Sequence, residues 1–317
     1  PQYGEKMAVH WMDIARYADS YGYQDDNIRT QWPWRDWVIH AFNKNIPYDQ
    51  FLTWQIAGDM LPDVNKEKIL ATGFFRNHKY TEEGGVIDEE YRVEYLIDKT
   101  KTYSKAILGI TMECAQCHDH KYDPFSQKDY YSLLAFFNNT KEVGYEGDVS
   151  VSKPAKNPIL TITKEDRQQL LSFLNAKDTA AMTVSVMGER DTLRKTYLLN
   201  RGVYDQPGEE VQPTAVKAVM KFDTTKFSRD RKGLAQWTVD RNNPLTARVF
   251  VNQAWQEIFG RGLVKTSGDF GMQGELPSHP ELLDWMAIDF MDHGWDIKRL
   301  IKQIGMSATY RQSAKVS

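Results

Sequence analysis

Two cysteines occur in this 317-residue chain, and they stand three apart: Cys114 and Cys117, with His118 directly after the second. A single close pair cannot staple a large fold, because a disulfide across two intervening residues closes too small a loop to constrain the unfolded chain much. The chain must be held by a buried core, and at this length it can bury a sizeable one, as one large or two medium domains. The same run, Cys114-Ala-Gln-Cys-His118, has the spacing of covalent haem attachment. Two thiols so placed add to the two vinyl groups on one edge of a porphyrin. The next residue then reaches under the ring, where an imidazole ligates the iron. Three other readings compete. A zinc ion could take both thiolates with His118 or His120, though no second Cys or His pair at close spacing completes the set. A redox thiol pair would want a surrounding βαβ pattern that is missing. The pair could also form a disulfide, or be two packed thiols.

Helical periodicity dominates the rest of the chain. It predicts helices over 5–20, 32–43, from Pro47 to near Gly58, 66–75 and 89–110. A further helix is capped by Ser126, with Asp129 three residues on, and runs to Phe137. Later helices are expected over 164–175, 229–240, 244–259 (ended by Gly260-Arg-Gly262), 280–291 (capped by Ser278) and 297–304 (capped by Asp296). Alternation predicts short strands over 158–163, 182–187 and 195–200, enough for a small sheet. Residues 138–158 read as a long loop and 201–210 as a turn-rich extension. The expected class is mainly α with a small β element (α+β). A helical haem domain over 1–145 would pack, through a linker and small α/β insertion over 146–190, on a mostly helical domain over 191–317.

A net charge of -3 gives no case for nucleic-acid binding. No apolar run approaches the roughly 18 residues of a membrane span. No signal peptide is visible, and a chain beginning Pro1-Gln2-Tyr3 is expected to have a trimmed N-terminus. Haem attachment would require export, to the periplasm or the cell exterior.

Several separate stretches carry a resemblance. They are Trp11-Met-Asp-Ile-Ala-Arg-Tyr-Ala-Asp-Ser20, Arg35-Asp-Trp-Val-Ile39, Pro47-Tyr-Asp-Gln-Phe51, Ala57-Gly-Asp59, Ala71-Thr-Gly-Phe74, Glu90-Tyr-Arg-Val-Glu94 and the run Cys114 to Pro124. Together they resemble the planctomycete-type cytochrome c domain. Asn243-Pro-Leu-Thr-Ala-Arg-Val249, Phe259-Gly-Arg-Gly-Leu263, Ser278 to Trp285 and Ser307-Ala-Thr-Tyr-Arg-Gln-Ser313 resemble the domain that usually follows it. The resemblance implies an exported protein with one covalent haem c. It assigns no function to the second domain.

In the haem reading, Cys114, Cys117 and His118 attach and ligate. His78, in a polar loop, is the first candidate for the far face or a catalytic role, and Met272, in the Gly-rich loop 267–274, is the methionine candidate. That loop and His279 make the second domain the natural lid. Arg92, Lys121, Arg76 and Arg248 are candidates for propionate pairing. Glu82, Glu83, Asp88, Glu89, Glu90 and Glu94 could bind calcium, but without EF-hand spacing a solvated helix start is favoured. Tyr21, Tyr23, Trp32 and Trp34 with Asp25 and Asp26 could line a sugar-sized cleft. The expected function is an oxidoreductase or electron-transfer protein acting with a redox partner or a small-molecule or carbohydrate substrate. The alternative is a cell-surface binding or assembly module whose cysteines hold zinc or a disulfide.

Overall fold

The computed structural model describes residues 2–147, 151–166 and 181–313. Four helices open the chain: α1 (Gln2–Ile14), α2 (Trp32–Lys44), α3 (Tyr48–Ala57) and α4 (Lys66–Ala71). They bury an aromatic cluster. Trp11 stacks on Phe74 with ring centres 5.3 Å apart, and Trp37 lies parallel to Phe51 at 5.4 Å. The Trp11 indole N–H finds the Gln55 side-chain oxygen at 2.9 Å, so the polar edge of a buried ring is satisfied. α1 stops short of the expected residue 20. Arg16 takes a left-handed backbone (φ 57), and the Tyr17 N–H turns back to the Met12 carbonyl.

The long helix α5 (Asp88–Ile107) leads to a 3-10 turn, Glu113–Gln116, that carries the first cysteine of the pair. α6 (Gln127–Asn138) begins at the expected capping box between Ser126 and Asp129. The expected sheet is instead two separate antiparallel hairpins. β1 (Ile159–Ile162) pairs with β2 (Met182–Ser185), and β3 (Thr196–Leu199) pairs with β4 (Pro207–Val211). β4 falls in the run read as turn-rich, because its strand is specified by pairing with β3 rather than by its own mostly exposed residues. The helix expected over 164–175 extends past the described residues beyond 166.

The C-terminal helices are α7 (Arg231–Thr238), α8 (Thr246–Phe259), α9 (Pro280–Asp292) and α10 (Ile297–Met306). Gly260 ends α8 in a left-handed conformation and Asp296 caps α10, both as expected. Ser278 does not cap α9. His279 occupies that position without a side-chain bond, and the Ser278 hydroxyl donates to the Leu263 carbonyl.

One hydrophobic core runs through both ends of the chain. Tyr48 of α3 stacks on Phe250 of α8 at 3.9 Å. Asn45 donates to Asp296 at 2.7 Å and accepts from the Lys298 N–H at 3.0 Å. The deepest link is Arg231, fully buried at the start of α7. It forks onto Asp59 at 2.9 and 2.7 Å, donates to the Ile56 carbonyl at 2.7 Å, and gives its Nε–H to Glu189 at 2.7 Å. Burial alone would weaken its charge, but the two carboxylates outweigh it and hold its pKa above the ordinary value.

Truncating one partner of a buried ion pair strands the others. Arg231→Met is expected to cost about 3–5 kcal/mol in urea denaturation. Asp59→Asn should cost less, because Glu189 still faces the guanidinium.

Candidate functional site

The cysteine turn is held from behind by α6. The Gln127 amide and the Tyr131 hydroxyl both donate to the Gln116 carbonyl, at 3.0 and 2.9 Å. Gln127 also reaches the Leu199 carbonyl of β3 at 3.1 Å, tying the turn to the second hairpin. Cys114 and Cys117 are free, exposed thiols on the outer side. His118 is exposed as well, and its Nδ1 lies 2.7 Å from the Asp119 carbonyl. A proton on Nδ1 satisfies that contact and leaves Nε2 with its lone pair.

Behind the motif, His120 is a structural residue. Its Nδ1 accepts the Asp123 N–H at 2.9 Å and lies 3.3 Å from the Asp123 carboxylate. Asp123 in turn accepts the Met272 N–H at 2.6 Å. A side chain at Gly271 would collide with that carboxylate, its Cβ meeting Oδ1 at 2.6 Å, so only glycine lets the loop settle there. The Phe270 N–H bonds the Gly109 carbonyl at 2.6 Å. The Gly-rich loop is thus seated on both flanks of the motif. Met272 is pinned by its backbone while its side chain is 75% exposed.

The other expected site residues lie elsewhere. His78 is not a loop residue in water; it is buried, stacked on Tyr95 at 4.5 Å. Its Nδ1 faces the Lys79 carbonyl at 2.6 Å and its Nε2 faces Glu142 at 2.8 Å. An axial bond from His78 would have to displace one of these. Arg76 (3.0 Å) and Lys99 share the same Glu142 carboxylate. Burial and the Lys99 ammonium hold His78 below its ordinary range, although acceptors stand before both nitrogens. At Nε2 the ring shares in a compact cluster with Glu142, Arg76 and Lys99. Burial, against the pull of Glu142, brings Lys99 down to about 8. Burial would raise Glu142, but Arg76, Lys99 and His78 together hold its carboxyl well below the usual value.

Arg92 forks onto Glu89 at 2.7 and 2.6 Å and bonds Asn138 at 2.7 Å. Arg248 is taken by Asp284 at 2.6 Å. Lys121 remains at the surface beside the motif, its ammonium 5.1 Å from the Tyr122 ring centre. His279 is exposed, 3.1 Å from the Ser278 hydroxyl. The acidic run is dispersed: Glu82 pairs with Lys156, Glu83 accepts the Gln24 N–H, Asp88 the Tyr145 N–H, and Glu89 holds Arg92. Among the described residues, no three His, Cys, Asp or Glu side chains are grouped to hold a metal ion. Trp34 is core; Tyr21 and Tyr23 do line a cavity of about 400 Å³ with His78 and Arg16. Glu142, Lys99 and Arg16 carry no sequence signal. Glu142 lies in a polar stretch that reads as loop, and its partners come from two distant segments, 76–78 and α5.

Residues 1–142 match the family model PSCyt2, and residues 230–317 match PSD1, each described as a protein of unknown function. These two are the planctomycete-type pair. No curated protein and no solved structure matches the chain. The PSCyt2 segment contains the whole cysteine turn and its α6 support; the PSD1 segment contains the loop seated over it, so the two meet at the motif.

Glu142→Gln leaves two buried cations sharing a neutral amide and is expected to cost about 3–5 kcal/mol at neutral pH. The stabilising charge is fully present above the ordinary glutamate value of 4.5 and is lost as pH falls toward the depressed folded value. Denaturation curves for the two proteins should therefore converge as pH is lowered below 4.5.

Proposed function

We propose that this chain is an exported redox protein that carries one covalent haem c at Cys114 and Cys117, with His118 Nε2 as the axial ligand. The observation that carries the reading is the state of the motif's three functional groups. Both thiols are free and exposed on one turn. The His118 Nδ1 is occupied by the Asp119 carbonyl at 2.7 Å, which leaves the other nitrogen available. A backbone partner that fixes the tautomer of a ligating histidine is the usual arrangement at metal sites. A haem so held supplies one-electron chemistry at iron, at a potential set by its axial ligands.

The chain's own residues supply the rest. Gln127 and Tyr131 hold the turn rigid. Lys121 stands in water beside the motif as a partner for a propionate. Met272, on a loop already anchored to Asp123, is the residue of the PSD1 segment that would serve as a further ligand to the iron. His78 and Arg92 are already committed to internal partners, and the reading gives them structural parts. Calcium has no part in it. Thioether formation places the protein in the periplasm or outside the cell, where a redox protein or a carbohydrate serves as partner.

The test is expression with a c-type maturation system, followed by the alkaline pyridine spectrum of denatured protein. Haem that stays with the polypeptide after denaturation is expected. It should be lost in Cys114→Ala/Cys117→Ala, while Met272→Ala should keep it and change the reduction potential. A chain that takes up no haem in that host would sink the proposal and leave the surface-module reading.

A further inference from the structure

A pocket of about 630 Å³ opens between α6, the loop 189–195 that leads into β3, the end of β4 and the residues just before α7. Four cations line it, Arg190, Arg194, Lys195 and Arg229, beside three carboxylates, Glu189, Glu210 and Asp230. The carboxylates are each engaged. Glu189 gives one oxygen to the buried Arg231 at 2.7 Å and the other to the Asn139 amide at 2.9 Å. Glu210 holds Lys195 at 2.9 Å. Asp230 caps α7, accepting the Gly233 N–H at 2.8 Å and the Ser228 hydroxyl at 2.6 Å, so its charge answers the positive end of that helix. Asp191, the remaining carboxylate of the loop, is exposed and does not line the pocket. Arg190, Arg194 and Arg229 are left with no ion pair among the described residues.

Arg194 is the most confined of the three. It is half-buried, and its guanidinium has only a long bond, 3.4 Å, to the Asn138 carbonyl. Burial and the neighbouring charges of Arg92 and Arg190 bring it down to about 10. Glu89 and Asp88 pull the other way, but Glu89 already holds Arg92 and Asp88 the Tyr145 N–H. A half-buried cation set among other cations is costly unless an anion joins it.

The loop is built to hold these side chains in place. The Asn139 carbonyl accepts the Arg190 N–H at 2.9 Å, and the Asn139 side-chain oxygen accepts the Arg194 N–H at 3.0 Å. Arg229 stands beside the Asp230 cap, two residues before the Arg231 joint. Cations presented from a fixed backbone lose little further freedom on binding.

Guanidinium groups are planar forks of donors and suit oxyanions. A carboxylate offers two oxygens and one charge. A phosphate or sulfate ester offers three free oxygens, one for each arginine. Met60, Phe136 and Val211 supply apolar lining for the organic part of a guest, and the volume is that of a small-molecule site.

We propose that this pocket binds a small molecule through a phosphate or sulfate group held by Arg190, Arg194 and Arg229. The assignment does not depend on what the thiols carry.

The test is calorimetric titration of the full chain, at constant ionic strength, with inorganic phosphate, glucose 6-phosphate and glucose 6-sulfate. Glucose and glucuronate serve as the neutral and carboxylate counterparts. At least one of the three oxyanions is expected to bind saturably, with the two counterparts weaker by about tenfold or more; the pair of esters tells phosphate from sulfate. Arg194→Gln and Arg229→Gln should each lower that affinity by about tenfold or more, the loss of one charged donor group. Arg261→Gln removes the same charge from an exposed position outside the pocket and should bind like the parent. Arg194→Gln is expected to melt no lower than the parent; should it fail to fold, the exposed Arg229→Gln carries the test. The proposal is overturned if none of the three oxyanions binds, or if glucose or glucuronate binds as tightly. It is also overturned if the pocket variants bind like the parent, or if Arg261→Gln loses as much affinity as they do.

Discussion

Arg231 is the joint at which the three stretches of this chain become one body. Its planar fork and its Nε–H reach a carboxylate from the N-terminal helices, Asp59, and one from the middle segment, Glu189, while its own helix belongs to the C-terminal part. A fully buried cation of this kind is tolerable only when every N–H is met and the charge is balanced. Both conditions require all three stretches to be in place at once. The stacking of Tyr48 on Phe250 and the Asn45–Asp296 contact lie along the same seam. Together they keep α8 beside α5, and it is this placement that brings the glycine loop down on Gly109 and Asp123.

Buried arginines play a second part, as substitutes for regular structure. Arg29 donates to the carbonyls of Ala18, Asn77 and His78, and burial brings it down to about 10. Arg76 donates to the carbonyls of Val186, Lys156 and Asn157. Irregular backbone at 76–78 and 154–158 has few ladder partners of its own, and carbonyls buried there must still be satisfied. The guanidinium, with five donors in a fixed plane, does this in one residue. It explains how a chain with two short hairpins and long loops keeps a continuous core.

Much of the helical frame was legible, and the reason is local. The Ser126–Asp129 box, the Asp296 cap, the left-handed Gly260 and the twenty-residue stripe of α5 are all specified by neighbours in sequence. What escaped was set at a distance. β4 exists because β3 lies beside it; α1 ends at Ile14, just before the left-handed Arg16, a residue with no intrinsic liking for that backbone; Ser278 turns from its own helix to the Leu263 carbonyl. At the candidate site the same division holds. The cysteine turn could be read from spacing alone, whereas the burial of His78 beside Glu142 and the pairing of Arg16 with Asp98 arise from segments far apart in the chain.

The hairpin turn at Gly202 has a bearing on the order of assembly. Gly202 sits at φ 76, and even a methyl group on it would come within 3.2 Å of the Cys117 sulfur. One side of that sulfur is therefore already occupied by main chain once the β3–β4 hairpin has docked on α6. Whatever is joined to Cys117 must either approach from the opposite side or arrive before the hairpin closes. Before the hairpin closes, the same thiol would be unhindered on that side. A group joined to Cys117 would thus have to leave room for the main chain at Gly202.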